Sequence, residues 1–401
     1  MTTTHASQGQ KVQKSSSKMG LLMAAIVGMN AMIGASIFMI PAQLQRLVGP
    51  AAILSYVFVI AAIWCIAYSL AAVATYHPQE GSFFAYARLW AGKTGGLIAA
   101  GFYCAGLVVA LGLLTRVTGT YLHTQFTQVS PAVLSTIMLV GLTLTLLAGK
   151  RIARWGQIIL LFFTIAPLLI ISFLCLSKAS LTNLKPFMPF GWNAVFKATK
   201  IVIFGFFGFE AITAIYPQVN NPETTVPRAI TIAIALVSLL YLFFVVSVLL
   251  ALPQPLFVGD TNLPDVLYKT FSEYPWLITV VVWGIIITIM GTIHSMIWSV
   301  AMLLKSLTEM VNLPFKLSMN HAIMVLSFCV WLCSIAFANV DLFFNVTALG
   351  IITALAMAIM PVALRVIPVS RTSQIIAWLG LLTALVMCGY AVEGIWNYFI
   401  R

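Results

Sequence analysis

The residue with the clearest chemical potential is Glu210, deep in the apolar run IFGFFGFEAITAIY. An ionised carboxylate in hydrocarbon costs several kcal/mol, on the order of 3, unless it is paired or hydrated. Such a group is a functional candidate by default, suited to take up and release a proton as water reaches it; the plainer reading is a neutral Glu that hydrogen-bonds a neighbouring helix. A second candidate carries no charge. GMNAMIGASIFMIP, residues 28–41, gathers Gly34, Ala35 and Ser36 in the middle of an apolar run, with Pro41 after them. Ala31 and Ala35 are spaced for close helix packing, so this stretch reads either as a packing notch or as a break. FGFFGFE, residues 204–210, closes at Pro217 and has the same character.

If both stretches unwind at mid-depth, the chemistry follows from the backbone. Freed N–H and C=O groups are tolerated only where protein or a water-filled cavity satisfies them. The N-terminus of a half-helix offers N–H groups and the positive end of a dipole, which suit a carboxylate. The C-terminus of a half-helix offers carbonyls, which suit an ammonium. Two breaks facing each other can hold a zwitterion, which points to an amino acid or a close relative.

The elements that must position these groups are membrane spans. Hydrophobic residues make up 61% of the 401-residue chain and charged residues 7%, against about 25% charged in a soluble domain. The fold class expected is therefore an all-α polytopic membrane protein embedded in a lipid bilayer. Eleven runs are long and apolar enough to cross it: 20–45, 51–75, 95–121, 131–149, 154–177, 193–216, 227–252, 276–304, 321–338, 341–366 and 373–399. Residues 1–19 read as a disordered cytoplasmic tail leading into an uncleaved first helix. With that tail inside, 13 of the 21 basic residues fall on the cytoplasmic side, as the positive-inside rule asks; the cluster from Lys178 to Lys200 runs against it. The net charge of +12 is thus loop charge facing anionic lipid, and no basic run interleaved with aromatics suggests nucleic acid. The six cysteines lie inside apolar segments without metal or disulfide spacing. No phosphate-binding loop points to a nucleotide, and no cofactor is expected.

The two interrupted segments are the first and the sixth. Transporters are often built from inverted repeats that each begin with a broken helix. Repeats over 20–177 and 193–366 follow, with 373–399 as an appended eleventh helix.

Residues 203–230 closely resemble the sixth helix and following loop of the amino acid/polyamine/organocation transporters. The matching positions are Phe204, Gly208, Phe209, Glu210, Asn221-Pro222 and Pro227-Arg228-Ala229. The opening stretch is similar to that family's first-helix motif at Ile33, Gly34, Ala35, Ser36, Ile37, Phe38 and Pro41. Weaker likeness extends over roughly residues 20–366. The resemblance implies a LeuT-like five-plus-five inverted repeat with discontinuous helices 1 and 6. It implies that Ile33, Gly34, Ala35 and Ser36 receive a substrate carboxylate through backbone N–H groups. Carbonyls around Phe204, Gly205, Phe207 and Gly208 would take the α-ammonium, with Phe204 as aromatic gate and Glu210 as coupling or gating acid.

Two departures bear on this. Ala35 and Ser36 stand where the family has Ser and Gly, which implies a narrower pocket or a changed carboxylate contact. Residues 155–177 contain no Lys to replace a sodium ion, so the coupling ion is open. Further polar residues could line the side-chain pocket: Asn30, Tyr103, Cys104, Thr292, His294, Ser295, Asn345 and Thr347. Glu393 and Arg116 are expected to reach the membrane interface. The expected activity is transport of an amino acid or amine, with a proton or counter-substrate as partner and no covalent chemistry; a sensor or scaffold that keeps the fold is the alternative. The pocket candidates are aromatic and neutral, which favours a neutral or apolar amino acid. Oligomeric state is left open.

Overall fold

The structure is a computed structural model that describes residues 18–79, 81–257, 262–312, 314, 316–336 and 340–400. The expected tail, apart from Lys18 and Met19, lies outside the described residues. Fourteen α-helices follow in order: α1 Leu21–Met32, α2 Ser36–Leu47, α3 Ala52–Tyr76, α4 Ser82–Gln125, α5 Pro131–Leu147, α6 Lys150–Ser177 and α7 Gly191–Val202. Then come α8 Ala211–Ala214, α9 Pro222–Ala251, α10 Leu263–Thr270, α11 Trp276–Met310, α12 Met319–Ala336, α13 Val340–Ala363 and α14 Arg371–Ile400.

Among the described residues eight helices are long and apolar enough to cross a membrane, and α1 with α2 makes a ninth span bent by 44°. The 17-residue α5 is apolar but shorter. The sixth expected segment is α7 and α8 with the irregular stretch between them. The chain is an integral membrane protein.

Helix limits follow local chemistry. Asn221 adopts a left-handed backbone, φ 40°, which Asn tolerates better than most residues. Pro222 then begins α9 where a missing N–H costs nothing. Ser130 and Asn262 cap α5 and α10 through their side chains, each followed by proline at a first-turn position. One difference from the sequence reading concerns α4. The third span was expected to begin at residue 95, yet the helix starts at Ser82 and runs 44 residues, turning at Gly92 (φ 66°, ψ −169°). That backbone geometry suits glycine and breaks the helix, so a short helix from Ser82 precedes the kink and the span proper follows Gly92, close to the expected start.

Small residues let α4 and α13 pack backbone to backbone. A Cβ on Gly350 of α13 would lie 2.7 Å from Phe102 O and 2.8 Å from Gly106 Cα of α4. Without a hydrophobic drive between helices in lipid, such backbone approach supplies the association through dispersion. At the membrane surface, Lys178 of the basic cluster pairs with Glu273 and lies 4.7 Å over the Phe271 ring. Hydrogen bonding from Lys178 holds the Glu273 carboxyl below its usual range. This tie is present above the unfolded-state pKa of the carboxyl and is lost as pH falls through its lower folded value.

Gly350→Ala forces backbone against backbone and should lower the unfolding midpoint in detergent, a loss of about 1–3 kcal/mol. Gly101→Ala, whose Cβ meets nothing within 4 Å, should leave the midpoint unchanged. Equal midpoints for the two variants would contradict the close-approach account.

Candidate functional site

Both expected breaks are present, and they face each other. α1 ends at Met32, Ile33 turns to an extended backbone (φ −78°, ψ 91°), and α2 restarts at Ser36. In the sixth segment a 3-10 turn over Ile203–Phe206 leads into extended Phe207 (ψ 138°). Gly208 follows at φ 127°, and α8 begins at Ala211. A Cβ on Gly208 would sit 2.4 Å from Ala31 C and 2.5 Å from Ala31 O. Only glycine brings the two unwound backbones this close.

The groups freed by the breaks are satisfied by named partners. Thr292 Oγ1 on α11 lies 3.0 Å from both Asn30 O and Ile33 O, and its hydroxyl can donate to either. Further back, Ser295 Oγ donates to Val27 O inside α1 at 2.6 Å and steadies the helix that leads into the break. From α9, Tyr241 Oη donates to Met32 O at 3.1 Å, so a side chain of a neighbouring helix holds the end of α1 at the break. Its ring packs edge-on to Phe206 at 5.2 Å. In the second break the Gly208 N–H donates to Glu210 Oε2 at 2.8 Å, and Tyr103 Oη donates to Oε1 at 3.4 Å.

A cavity of about 910 Å³ rises from these breaks. Gly34, Ala35 and Ser36 line its floor, where the first N–H groups of α2 have no acceptor inside their own helix. Phe204 and Phe207 face it from the other break, and Phe344 of α13 meets Phe204 at 4.8 Å between ring centroids. The wall includes Thr292, Asn345 and Thr347. Its mouth carries Gln43, Leu47 and Lys200 on one side, with Glu393, Asn397 and Tyr398 of α14 on the other. At the opposite end α8 is fully buried, and Met19 is bridged to the segment after it: Met19 N–H donates to Gln218 O at 2.7 Å and Asn220 N–H to Met19 O at 2.8 Å. The cavity thus opens away from the N-terminus and is closed toward it.

The expected site residues divide into three groups. Gly34, Ala35, Ser36, Phe204, Phe207, Thr292 and Asn345 line the cavity. Ile33, Gly205, Gly208 and Glu210 lie just behind it: Ile33 and Glu210 are fully buried, and a Cβ on Gly205 would meet the Tyr241 ring at 3.3 Å. Asn30, Tyr103, Cys104 and His294 are outside the lining. Asn30 and His294 belong to a separate buried chain, in which Asn30 Nδ2 donates to Gln157 Oε1 and Gln157 Nε2 meets His294 Nδ1, each at 2.7 Å. Sequence reasoning gave no role to Tyr241, Gln157 or Phe344, and none of the three stands out from its run by charge or spacing. Glu393, expected at the membrane interface, lines the cavity mouth instead.

A sequence model of the amino acid permease family matches residues 19–400. Among individual relatives, an uncharacterised transporter of Mycobacterium tuberculosis is 25% identical over 308 residues, 76% of this chain and 68% of its own length. The gamma-aminobutyric acid permease of Escherichia coli is 25% identical over 312 residues, 73% of this chain and 65% of its own. In structure the chain is similar to MhsT in complex with L-phenylalanine, with a TM-score of 0.72 at 14% identity over 96% of this chain and 100% of the other. It is also similar to a Na+-coupled sialic acid symporter in a substrate-bound outward-open state, with a TM-score of 0.66 at 13% identity over 94% and 90%. The fold is LeuT-like, as the sequence resemblance implied.

Tyr241→Phe keeps the ring and removes the one hydroxyl that reaches Met32 O. Leaving that carbonyl unpaired should cost about 1–3 kcal/mol, read as a lower unfolding midpoint. Tyr241→Phe melting like the unaltered protein would mean the hydroxyl does not hold the break.

Proposed function

Because the chain belongs to the amino acid permease family, we propose that it is a secondary active transporter carrying an amino acid or a related amine across the cytoplasmic membrane by alternating access. The observation that carries this reading is the pair of unwound backbones meeting at the floor of one cavity. The substrate carboxylate takes the N–H groups at Gly34, Ala35 and Ser36. Its ammonium takes carbonyls of the second break around Phe204, Gly205 and Phe207, and Phe204 closes over it with Phe344. The side chain then lies among apolar and neutral groups, which favours a neutral or apolar amino acid. That MhsT holds L-phenylalanine in the same fold supports this choice. Lys200 and Glu393 at the mouth suit the two charged ends of a zwitterion on entry.

The N-terminus lies in the cytoplasm, so the conformation described has its cavity open outward and its cytoplasmic end closed. Five-helix repeats over 20–177 and 193–366 move against each other, and the bridge between Met19 and Val219 separates when the inner end opens. Glu210 is the coupling acid. Its carboxylate holds Gly208 N–H, and Gly208 in turn holds Ala31, so a change of protonation acts on both breaks at once. Proton symport and substrate exchange are the two modes this permits.

Purified protein in proteoliposomes, offered labelled amino acids with and without a pH gradient and with counter-substrate inside, tests the proposal. Uptake or exchange of at least one neutral amino acid is expected; none across a full panel would reject transport. Glu210→Gln keeps an acceptor for Gly208 but cannot change protonation state. Gradient-driven accumulation should collapse in this variant while exchange persists, and unaltered accumulation would reject Glu210 as the coupling group.

A further inference from the structure

A second hollow, of about 610 Å³, lies at the other end of the molecule and shares no lining residue with the cavity. It sits where α1 and α6 enter the membrane. Four of its lining residues are cations, Lys18, Lys150, Arg151 and Arg154, and none is an acid. α6 begins there, so its first-turn N–H groups and the positive end of its dipole add to the same field. Basic side chains gathered at one spot raise a positive potential that attracts an anion.

The same hollow is also lined by Trp155 and Ile158. These two begin a stripe of exposed apolar residues down α6, continuing at Ile159 and Phe162 with helical spacing. Trp155 is 57% exposed and Phe162 65% exposed. A soluble anion such as phosphate gains nothing from this stripe. A molecule with a phosphate at one end and hydrocarbon at the other uses both, and tryptophan at this depth is the usual companion of a lipid headgroup. Basic pockets between helices at a membrane face recognise anionic headgroups in this way.

The geometry points to a binding site for one anionic phospholipid, its phosphodiester held by Lys150, Arg151, Arg154 and Lys18, and an acyl chain laid along Trp155, Ile158 and Phe162. The headgroup bridges the start of α1 to the start of α6. Residue Met19, next to Lys18, is the one hydrogen-bonded to Gln218 and Asn220 at the closed end, so an occupied site braces that closure.

Native mass spectrometry of the full chain in detergent tests this, with equimolar dioleoylphosphatidylglycerol and dioleoylphosphatidylcholine added. One phosphatidylglycerol should be retained in preference, on the order of tenfold. The double variant Lys150→Gln/Arg151→Gln should lose that preference, and Lys305→Gln/Lys316→Gln, which changes two cations outside the hollow, should keep it. Equal retention of the two lipids by the unaltered protein, or an unchanged preference in the first variant, overturns the site. If the first variant does not fold, salt decides with the unaltered protein: the preference should fall as ionic strength rises, and a salt-independent preference overturns the proposal. Inorganic phosphate displacing the lipid at millimolar concentration would make the site one for a soluble anion and overturn the lipid assignment.

Discussion

A peptide group opened in the middle of a bilayer has no water to turn to, so each break in a spanning helix must bring its own partners. Thr292 and Tyr241 supply those partners to the first break, and Glu210, itself met by Tyr103, supplies one to the second. The first residues of α2 line the cavity, where their N–H groups have no acceptor inside their own helix.

Glycine and serine act in opposite senses across this junction. Gly208 lets the second break touch the first at Ala31, a contact that any side chain would prevent. Ser36 opens α2 and lines the cavity beside Gly34 and Ala35. Across from it stands Gly205, where a Cβ would sit 3.5 Å from the Ser36 hydroxyl. Gly208 thus stays bare so that backbones can meet, and Ser36 brings a hydroxyl to the cavity.

What the sequence made legible was what violates the rules of a spanning helix. Gly34 to Ser36, Gly208 and Glu210 are costly in an apolar span, and each lies at or next to a break, whereas Pro41 sits inside α2 and Pro217 in the turn after α8. Most spans were equally plain from length and hydropathy: among the described residues eight helices, and α1 with α2 as a ninth, pass that test. Facing was not. A helix in lipid is apolar all round, so periodicity carries little sign of which side turns inward. Tyr241 and Phe344 were hidden for that reason among neighbours of the same kind. The same limit concealed that α14, expected as an appendage, walls the cavity with Tyr390, Glu393 and Asn397. Glu393 looked like a residue leaving the membrane because its distance from the chain end was readable and its direction was not.

The bridge between Met19 and the segment after α8 is made of two backbone hydrogen bonds, with Met19 and Val219 both buried in the core. Backbone pairing fixes the register of this join, and the packed Met19 side chain keeps water from it. Its amide protons are shielded only while that end is shut. The Met19 and Asn220 amides therefore report on this end of the molecule, and their exchange with deuterated water follows any opening of it.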